Sequence, residues 1–509
     1  MNNLFDYQVS VKDSPMDIRS ETLEPISSSS RRFVFRLDAA GNLDQNSVLL
    51  FKCLRNGAAD NQLRANPMFG GLLAIKRATL QIGDYILNDT SDIGRIAALT
   101  TLMKQNSATR NQFSGHYYQN SFHTEVLESY DGAISQQGGA GSIVYDNQKS
   151  GTNFGEMNNN NANASVNSCP INAAATGVQQ FGVSLGTILP CLKNRSLPLY
   201  LFQEYRILIT IEFADSSEWC NLITNTGAGG NAPATGNNLN QGMCAGEGLV
   251  LYNDVKLQVD YIILPSEIQA EARAQTNAQG GLRLDFFDIV KVEKHIPAAT
   301  ANVLQTVEHR IGADNKEVHK VYMIKRKIHR EGANHLDRPV SEDRLLIGGR
   351  CDGMNQEEYN VNIDGVDIFP DYKWSPASQY DETSNCVGLD LQVVRPFYYC
   401  DENTLSCRLA EPKDGILGKY KPLCLDLANG ENSIIGGGRT LGSYPMIWKY
   451  RRKPLAATAN PGGNDGGGAA VGNINNDFTE ALDVDYYLMV SRVANVKSTP
   501  QGTSVTVAY

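Results

Sequence analysis

The chain has 509 residues, 41% of them hydrophobic and 20% charged, with a formal net charge of −10. That length calls for at least two domains, and that hydrophobic content excludes wholesale disorder. The net charge excludes wrapping of nucleic acid through bulk positive charge, while leaving room for a local basic face. The 46 glycines suit a loop-rich β protein better than a helical one. Residues 1–12 carry neither a basic n-region nor an apolar h-region, so no secretory signal is expected. No apolar run of about 18 residues predicts a membrane span. The cysteines form no C-x-x-C pair and read as free thiols of a reducing compartment. The N-x-S/T sequons at Asn88, Asn163 and Asn194 then carry no weight.

Residues 1–30 are polar, end in the serine run Ser27–Ser30, and predict an extended arm. RFVFRL (32–37) alternates as a strand, and VLLFKCL (48–54) is a second. ATLQIGDYILND predicts a hairpin turning at Gly83-Asp84, where glycine supplies the positive φ of a tight turn. A short helix is expected next, capped by Thr90 or Ser91, with Ile93, Ile96, Ala97 and Met103 near one face. Gly94 weakens it by about 1 kcal/mol relative to alanine.

Residues 131–180, with QQGGAG and NNNNANASVNS, predict a long surface loop or several loops with short strands. Strands resume over 181–189. PLYLFQEYRILITIEF (198–213) reads as one long apolar strand or a tight pair, and 224–248 is a second Gly/Asn-rich excursion. LVLYNDVKLQVDYIIL (249–264) is again a strand. PSEIQAEARAQT (265–276) is the clearest helix, with Ser266 and Gln269 as a capping box and Gly280-Gly281 as its stop.

Further strands are expected over 282–294, 303–311, 318–329, 387–394, 421–427, 444–450, 484–493 and 503–508. YNVNIDGVDIF (359–369) is a hairpin turning at Asp364-Gly365, and 460–476 is a third glycine-rich loop. Each half thus holds a hairpin about 80 residues in, followed by long Gly/Asn insertions, which suggests two copies of one fold. Many short strands, turn chemistry and few helices point to sandwiches or jelly rolls, whose sheets carry the core and tolerate large loops.

No constellation in the sequence predicts catalysis. G-x-x-x-x-G-K-[ST] and H-E-x-x-H are both missing. His116 and His123 can approach on a strand pair, but no acid or thiol partner follows from spacing, and the other five histidines read as surface or packed residues. Glu357-Glu358 and Asp401-Glu402 read as solvated turn acids, since glycosidase carboxylates must face each other across a cleft. Gly436–Gly438 before Arg439 reads as a loop turn or, alternatively, a backbone anion site. Cys400 and Cys407 are read as free thiols, with a bridge left open. VHKVYMIKRKIHR (318–330) has two readings. One is an edge strand guarded by charge against aggregation. The other is a positive inner face toward DNA or acidic lipid, through Lys320, Lys325, Arg326, Lys327 and Arg330. Arg451, Arg452 and Lys453 allow the same two readings.

Three segments resemble the double jelly-roll major capsid proteins of large eukaryotic DNA viruses, virophages and polinton-like viruses. IKRATLQIGDYILNDTSDIGRIAALTTLM (75–103) resembles that family's hairpin with its glycine turn and following helix. LPLYLFQEYRILITIEF (197–213) resembles its Leu-Pro-Leu approach to a long strand pair. VKLQVDYIILPSEIQAEARAQ (255–275) resembles the last strand of the first roll, ending in Asp260-Tyr261, with the linking helix. YNVNIDGVDIF resembles the matching hairpin of the second roll. The Pro-Ser-Gly loop usual near the end of the second roll in the largest viruses is not found in LANGENSIIGGGRTLGSYPMIWKY (427–450), which points toward the virophage or polinton-like group.

The resemblance implies an all-β chain of two consecutive jelly-roll β-sandwich domains with long surface loops and a short linking helix. The expected divisions are an arm (1–30), a first roll (31–264), a linking helix and turn (265–281) and a second roll (282–509). It further implies a non-enzymatic virion protein without catalytic, cofactor or metal sites, assembled in the host cytoplasm or nucleus. Its partners would be two further copies in a pseudo-hexagonal homotrimer, neighbouring capsomers, and minor capsid or penton proteins. The loops 131–180, 224–248 and 460–476 would crown the outer surface. The arm would order on a neighbour during assembly. The rival reading is a secreted or cell-surface β-sandwich that binds or cleaves glycans, which would want a signal peptide, paired cysteines and a tryptophan-rich groove.

Overall fold

The computed structural model describes residues 17–55, 61–65, 70–104, 134–136, 143–145, 170–171, 179–193, 195–224, 241–243, 250–278, 281–300, 303–312, 315–327, 357–373, 382, 386, 423–428, 439–441, 445–453, 481–499 and 502–508. The main elements of the first half are β1 (Asp17–Leu23), β2 (Arg32–Leu37), β3 (Val48–Arg55), β4 (Ile75–Ile82), β5 (Tyr85–Ser91), α1 (Ile93–Lys104), β6 (Gln179–Ser184), β7 (Ile207–Phe213) and β8 (Val250–Ile263). After α2 (Ser266–Ala278) come β9 (Leu282–Ile296), β10 (Gln305–Ile311), β11 (Glu317–Lys327), β12 (Glu357–Ile363), β13 (Leu423–Asp426), β14 (Met446–Arg452), β15 (Leu482–Thr499) and β16 (Gly502–Ala508).

Each half is built on a sandwich of two antiparallel sheets, and the first also carries a four-stranded sheet (Pro170–Ile171, Asn61–Ala65, Cys220–Thr224, Gln241–Met243) and a two-stranded one (Ile143–Tyr145, Ile134–Gln136). In the first, one sheet runs β6, β3, β8, Asn42–Leu43, Leu197–Pro198, and the other runs Ser27–Ser28, β2, β7, β4, β5. β1 lies along the remaining side of β8, since Tyr261 pairs with both Arg19 and Leu43. In the second half, β9, β15, β11 and β13 form one sheet, with β16 on β15. The other runs β10, β14, β12, Val366–Asp367.

The cores follow from period-two patterning. In ILITIEF of β7, Ile207, Ile209, Ile211 and Phe213 are buried, with half-buried residues between them. Phe213 stacks on Tyr252 of the opposite sheet at 4.2 Å and meets Phe51 edge-on at 4.9 Å. In the second half Trp448 of β14 stacks on Tyr359 at 5.2 Å and packs across the sandwich on Tyr486 at 5.4 Å. The first core also runs on into Leu284, Phe286, Tyr487, Val496 and Val505 of the second half, so apolar packing joins the two sandwiches.

Both expected hairpin turns form. Ile82 pairs with Tyr85, and of the two loop residues only Gly83 has positive φ (58°), the type II′ pattern. Ile363 pairs with Val366, and both Asp364 (54°) and Gly365 (81°) have positive φ, the type I′ pattern.

Several expectations are corrected. Thr90 and Ser91 do not cap α1. They belong to β5, and Asp92 (φ 51°) turns the corner, its carbonyl accepting from the Arg95 N–H at 3.1 Å. The capping box of α2 is replaced: the Gln269 amide donates to the Leu264 carbonyl at 2.9 Å instead of accepting the Ser266 N–H. Residues 198–213 are neither one strand nor a simple pair. Pro198 lacks the N–H a ladder needs, a 3-10 turn follows over Leu199–Phe202, and only then does β7 begin. Residues 17–23 do not wait for a neighbour, because they pair with Leu257–Ile263 of their own chain. β11 is no edge strand. It pairs with β15 on one side and with β13 and Arg439–Thr440 on the other, so charge there guards no open edge.

Candidate functional site at the seam between the sandwiches

A cluster of buried polar side chains lies where β5 of the first sandwich meets β9 of the second. Alternation turns Asn88 and Thr90 to one side of β5, toward β9. Asn88 Nδ2 donates to the Phe287 carbonyl at 3.1 Å and to Asp288 Oδ1 at 2.9 Å. Its Oδ1 accepts from the Cys191 N–H at 2.8 Å. Thr90 Oγ1 donates to the Ile289 carbonyl at 3.2 Å. Side chains thus satisfy carbonyls that would otherwise stand open on the outer edge of β9. Asn88 is fully buried in these bonds, so its sequon is closed to modification.

Beside these bonds lie two ionic groups. Arg492 Nη1 donates to the Leu87 carbonyl at 2.8 Å and to Asp288 Oδ2 at 3.0 Å. At the corner of β5 and α1, Lys291 Nζ contacts Asp92 and sits 3.4 Å from Asp485, while Arg95 Nη1 lies 3.5 Å from Asp485. Asp485 is fully buried, so these cations from both sandwiches offset the cost of desolvating it. Burial pushes Asp288 up, and the Asn88 bond and Arg492 offset only part of that rise. Burial also raises Asp92, but Arg95, Lys291 and Lys76 outweigh it and hold the carboxyl below its ordinary value. Lys291 is lowered by burial yet ends raised, because Asp485 and Asp92 favour its charged form. From α2, Arg273 Nη2 donates to the Tyr200 carbonyl at 2.7 Å, tying the helix to the first sandwich.

This arrangement fixes two sandwiches as one body. It brings no nucleophile to a base, and among the described residues no three His, Cys, Asp or Glu side chains group to hold a metal.

The residues singled out in the sequence lie elsewhere. Lys325 is 2% exposed, with Nζ 5.4 Å from the Tyr450 ring centre, and Lys320 Nζ donates to the Cys386 carbonyl at 2.8 Å. Neither forms an outward basic face, because alternation on a central strand turns Lys325 into the core and Lys320 toward a packed segment. The side chains of Arg326 and Lys327, and the whole of Arg330, lie outside the described residues. Arg452 is buried, with Nε donating to Gln305 and Nη2 to the Pro297 carbonyl, while Arg451 faces Glu358 at 3.9 Å and the Tyr372 ring at 3.7 Å. Arg439 lies 4.0 Å from Asp364.

Buried His309 accepts from the Tyr486 hydroxyl at Nδ1 (2.8 Å) and donates from Nε2 to the His295 carbonyl (3.1 Å), a structural role. His319 is buried against Ser491 at 2.5 Å. His116, His123, Asp401, Glu402, Cys400, Cys407 and Gly436–Gly438 lie outside the described residues, as does most of the three long loops. Cys53, Cys191, Cys386 and Cys424 are buried free thiols, and burial raises the first three.

Sequence reasoning missed the seam. The available signal was charge at odd places: Asp288 and Lys291 within LRLDFFDIVKVEKHI, and Asp485 within VDYYLMV, acids and bases in strands otherwise built for burial.

No family model and no curated protein matches the chain by sequence. Solved structures do match. VP54 of PBCV-1, as fitted into a cryo-electron-microscopy reconstruction of the virophage Sputnik, is similar with a TM-score of 0.57 at 11% identity, over 99% of this chain and 100% of that one. A quasi-atomic model of the PBCV-1 virus capsid gives 0.53 at 11% identity, over 99% of each chain. The Faustovirus major capsid protein gives 0.48 at 11%, over 94% of this chain and 90% of that one. The coverage takes in both sandwiches, and the chain has the double jelly-roll fold found in viral capsid proteins.

Proposed function

We propose that this chain is the major structural subunit of an icosahedral virion. Three copies form a pseudo-hexagonal capsomer, and the capsomers tile the shell alongside separate minor proteins at its vertices. The observation that carries the reading is the match of both rolls, in one chain and over nearly all of it, to a capsid structure. Two rolls side by side give three chains six similar wedges, the shape that fills a hexagonal lattice. The seam suits the task, since buried ion pairs and a shared apolar core hold the rolls at one angle. The proposal gives the protein no catalytic role, places it in the particle after assembly in the host cytoplasm or nucleus, and favours a virophage or polinton-like source.

Light scattering on a sizing column tests it. The expected species has three times the chain mass, and concentrated samples should show shells or hexagonal arrays by electron microscopy. A monomer at every concentration overturns the reading.

A further inference from the structure

The seam inside the chain has a counterpart that the described residues leave open. β5 ends a sheet ordered Ser27–Ser28, β2, β7, β4, β5, and the second roll repeats that order as β10, β14, β12, Val366–Asp367. β9 runs antiparallel along one side of β15, the long strand that also pairs with β11. β1 runs antiparallel along one side of β8, the long strand that also pairs with β3. The hairpin of the first roll is seated on β9. Among the described residues the equivalent hairpin of the second roll has no such seat, and no strand pairs with the outer edge of β1, the equivalent strand of the first.

Burial records the difference. From Leu284 to Val292, β9 has no exposed residue, whereas five of the seven residues of β1 are exposed. Ile18 on β1 (68%) and Val366 on the hairpin (63%) are the two most exposed large hydrophobic side chains among the described residues. Each is flanked by charge: Asp17 and Arg19 beside Ile18, Asp364 and Asp367 beside Val366. An apolar side chain with charge beside it matches the apolar core and polar rim of a protein interface.

We infer that the β12 hairpin of one chain docks on β1 of a second copy, repeating between chains the contact that β5 makes with β9 within one. The contact joins unlike surfaces, so it runs head to tail, and successive copies close into a ring when the rotation permits. This rests on the capsomer reading and names the surface that builds the capsomer.

The test uses two full-length variants, Ile18→Asp and Val366→Asp, with circular dichroism to show that each is folded. Both positions are exposed, so folding should be unchanged. Each variant should need roughly thirtyfold more protein than wild type to form trimers, the effect of losing an interface hot spot. Mixing the variants is the sharper arm. An Ile18→Asp chain keeps an intact hairpin and a Val366→Asp chain keeps an intact β1, so the mixture should give one-to-one dimers that neither variant forms alone. Trimers that persist in both variants, or loss in one variant only, overturn the inference and leave the capsomer reading standing. A wild-type chain that never leaves the monomer overturns both.

Discussion

Arg492 Nη1 lies 3.0 Å from Asp288 Oδ2 and 2.8 Å from the Leu87 carbonyl, so an ion pair within the second roll also grips the first. Breaking a buried pair from one side strands the other charge in an apolar setting. Asp288→Ala should therefore cost about 3–5 kcal/mol of unfolding free energy, and Arg492→Ala a similar amount. The double variant should cost clearly less than the sum, because neither charge is then left alone. Denaturant unfolding followed by circular dichroism measures all three. Additive losses would mean the two side chains act separately.

Gly94 tests packing against propensity. On helix propensity alone, Gly94→Ala should stabilise α1 by about 1 kcal/mol. A Cβ at this position, however, would stand 2.1 Å from the Leu72 carbonyl oxygen and 2.4 Å from that of Ile75. Backbone cannot swing aside as a side chain can, so the expected outcome is a net loss of about 1–3 kcal/mol, the range for overpacking. A raised melting temperature would show that α1 sits less tightly on the 3-10 turn at Gly70–Ala74.

These two sites mark where the sequence is legible and where it is not. Periodicity exposed the strands, and the Gly83-Asp84 and Asp364-Gly365 pairs exposed both hairpins, because each signal is local. Asn88 looked like a sequon and Gly94 like a blemish, because their roles come from chain about 200 residues away for the one and from a packed turn for the other. The basic run at 318–330 misled for the same reason. Alternation says which residues share a face, but not whether a strand is central or at an edge. The seam was the least legible part, since its partners are brought together only when two rolls dock.

Acid should weaken the second roll. Burial lowers both His309 and His319, so their neutral forms are favoured in the folded chain. The unfolded chain titrates near pH 6.5 and therefore binds more protons just below that value. Stability from this source is complete above about pH 6.5, falls as pH drops toward the lowered folded values, and levels off beneath them. For His309 the neighbours facing the ring are Tyr486 and the His295 carbonyl, with Lys294 and His295 opposing protonation; for His319 they are Ser491, Glu317, Asp426 and Lys320. Melting temperature measured from pH 7.5 to 5 should fall, and the fall should shrink in His309→Gln. An unchanged slope in that variant would assign the acid loss to other groups.

Lys325 separates the two readings of the basic strand. Its ammonium sits in the core of the second roll, facing the Tyr450 ring, on a strand paired along both sides. A group placed there releases no counterions from DNA or from acidic lipid, because it never meets the polyanion. Lys325→Gln should therefore leave binding to DNA and to anionic vesicles unchanged, including its dependence on salt. It should lower the unfolding free energy instead, by about 1–3 kcal/mol, the usual cost of disturbing a satisfied buried polar group. Parallel salt titrations and denaturant melts of wild type and variant decide the matter. Weaker polyanion binding with an unchanged melt would put the ammonium back at the surface and restore the inner-face reading for this strand.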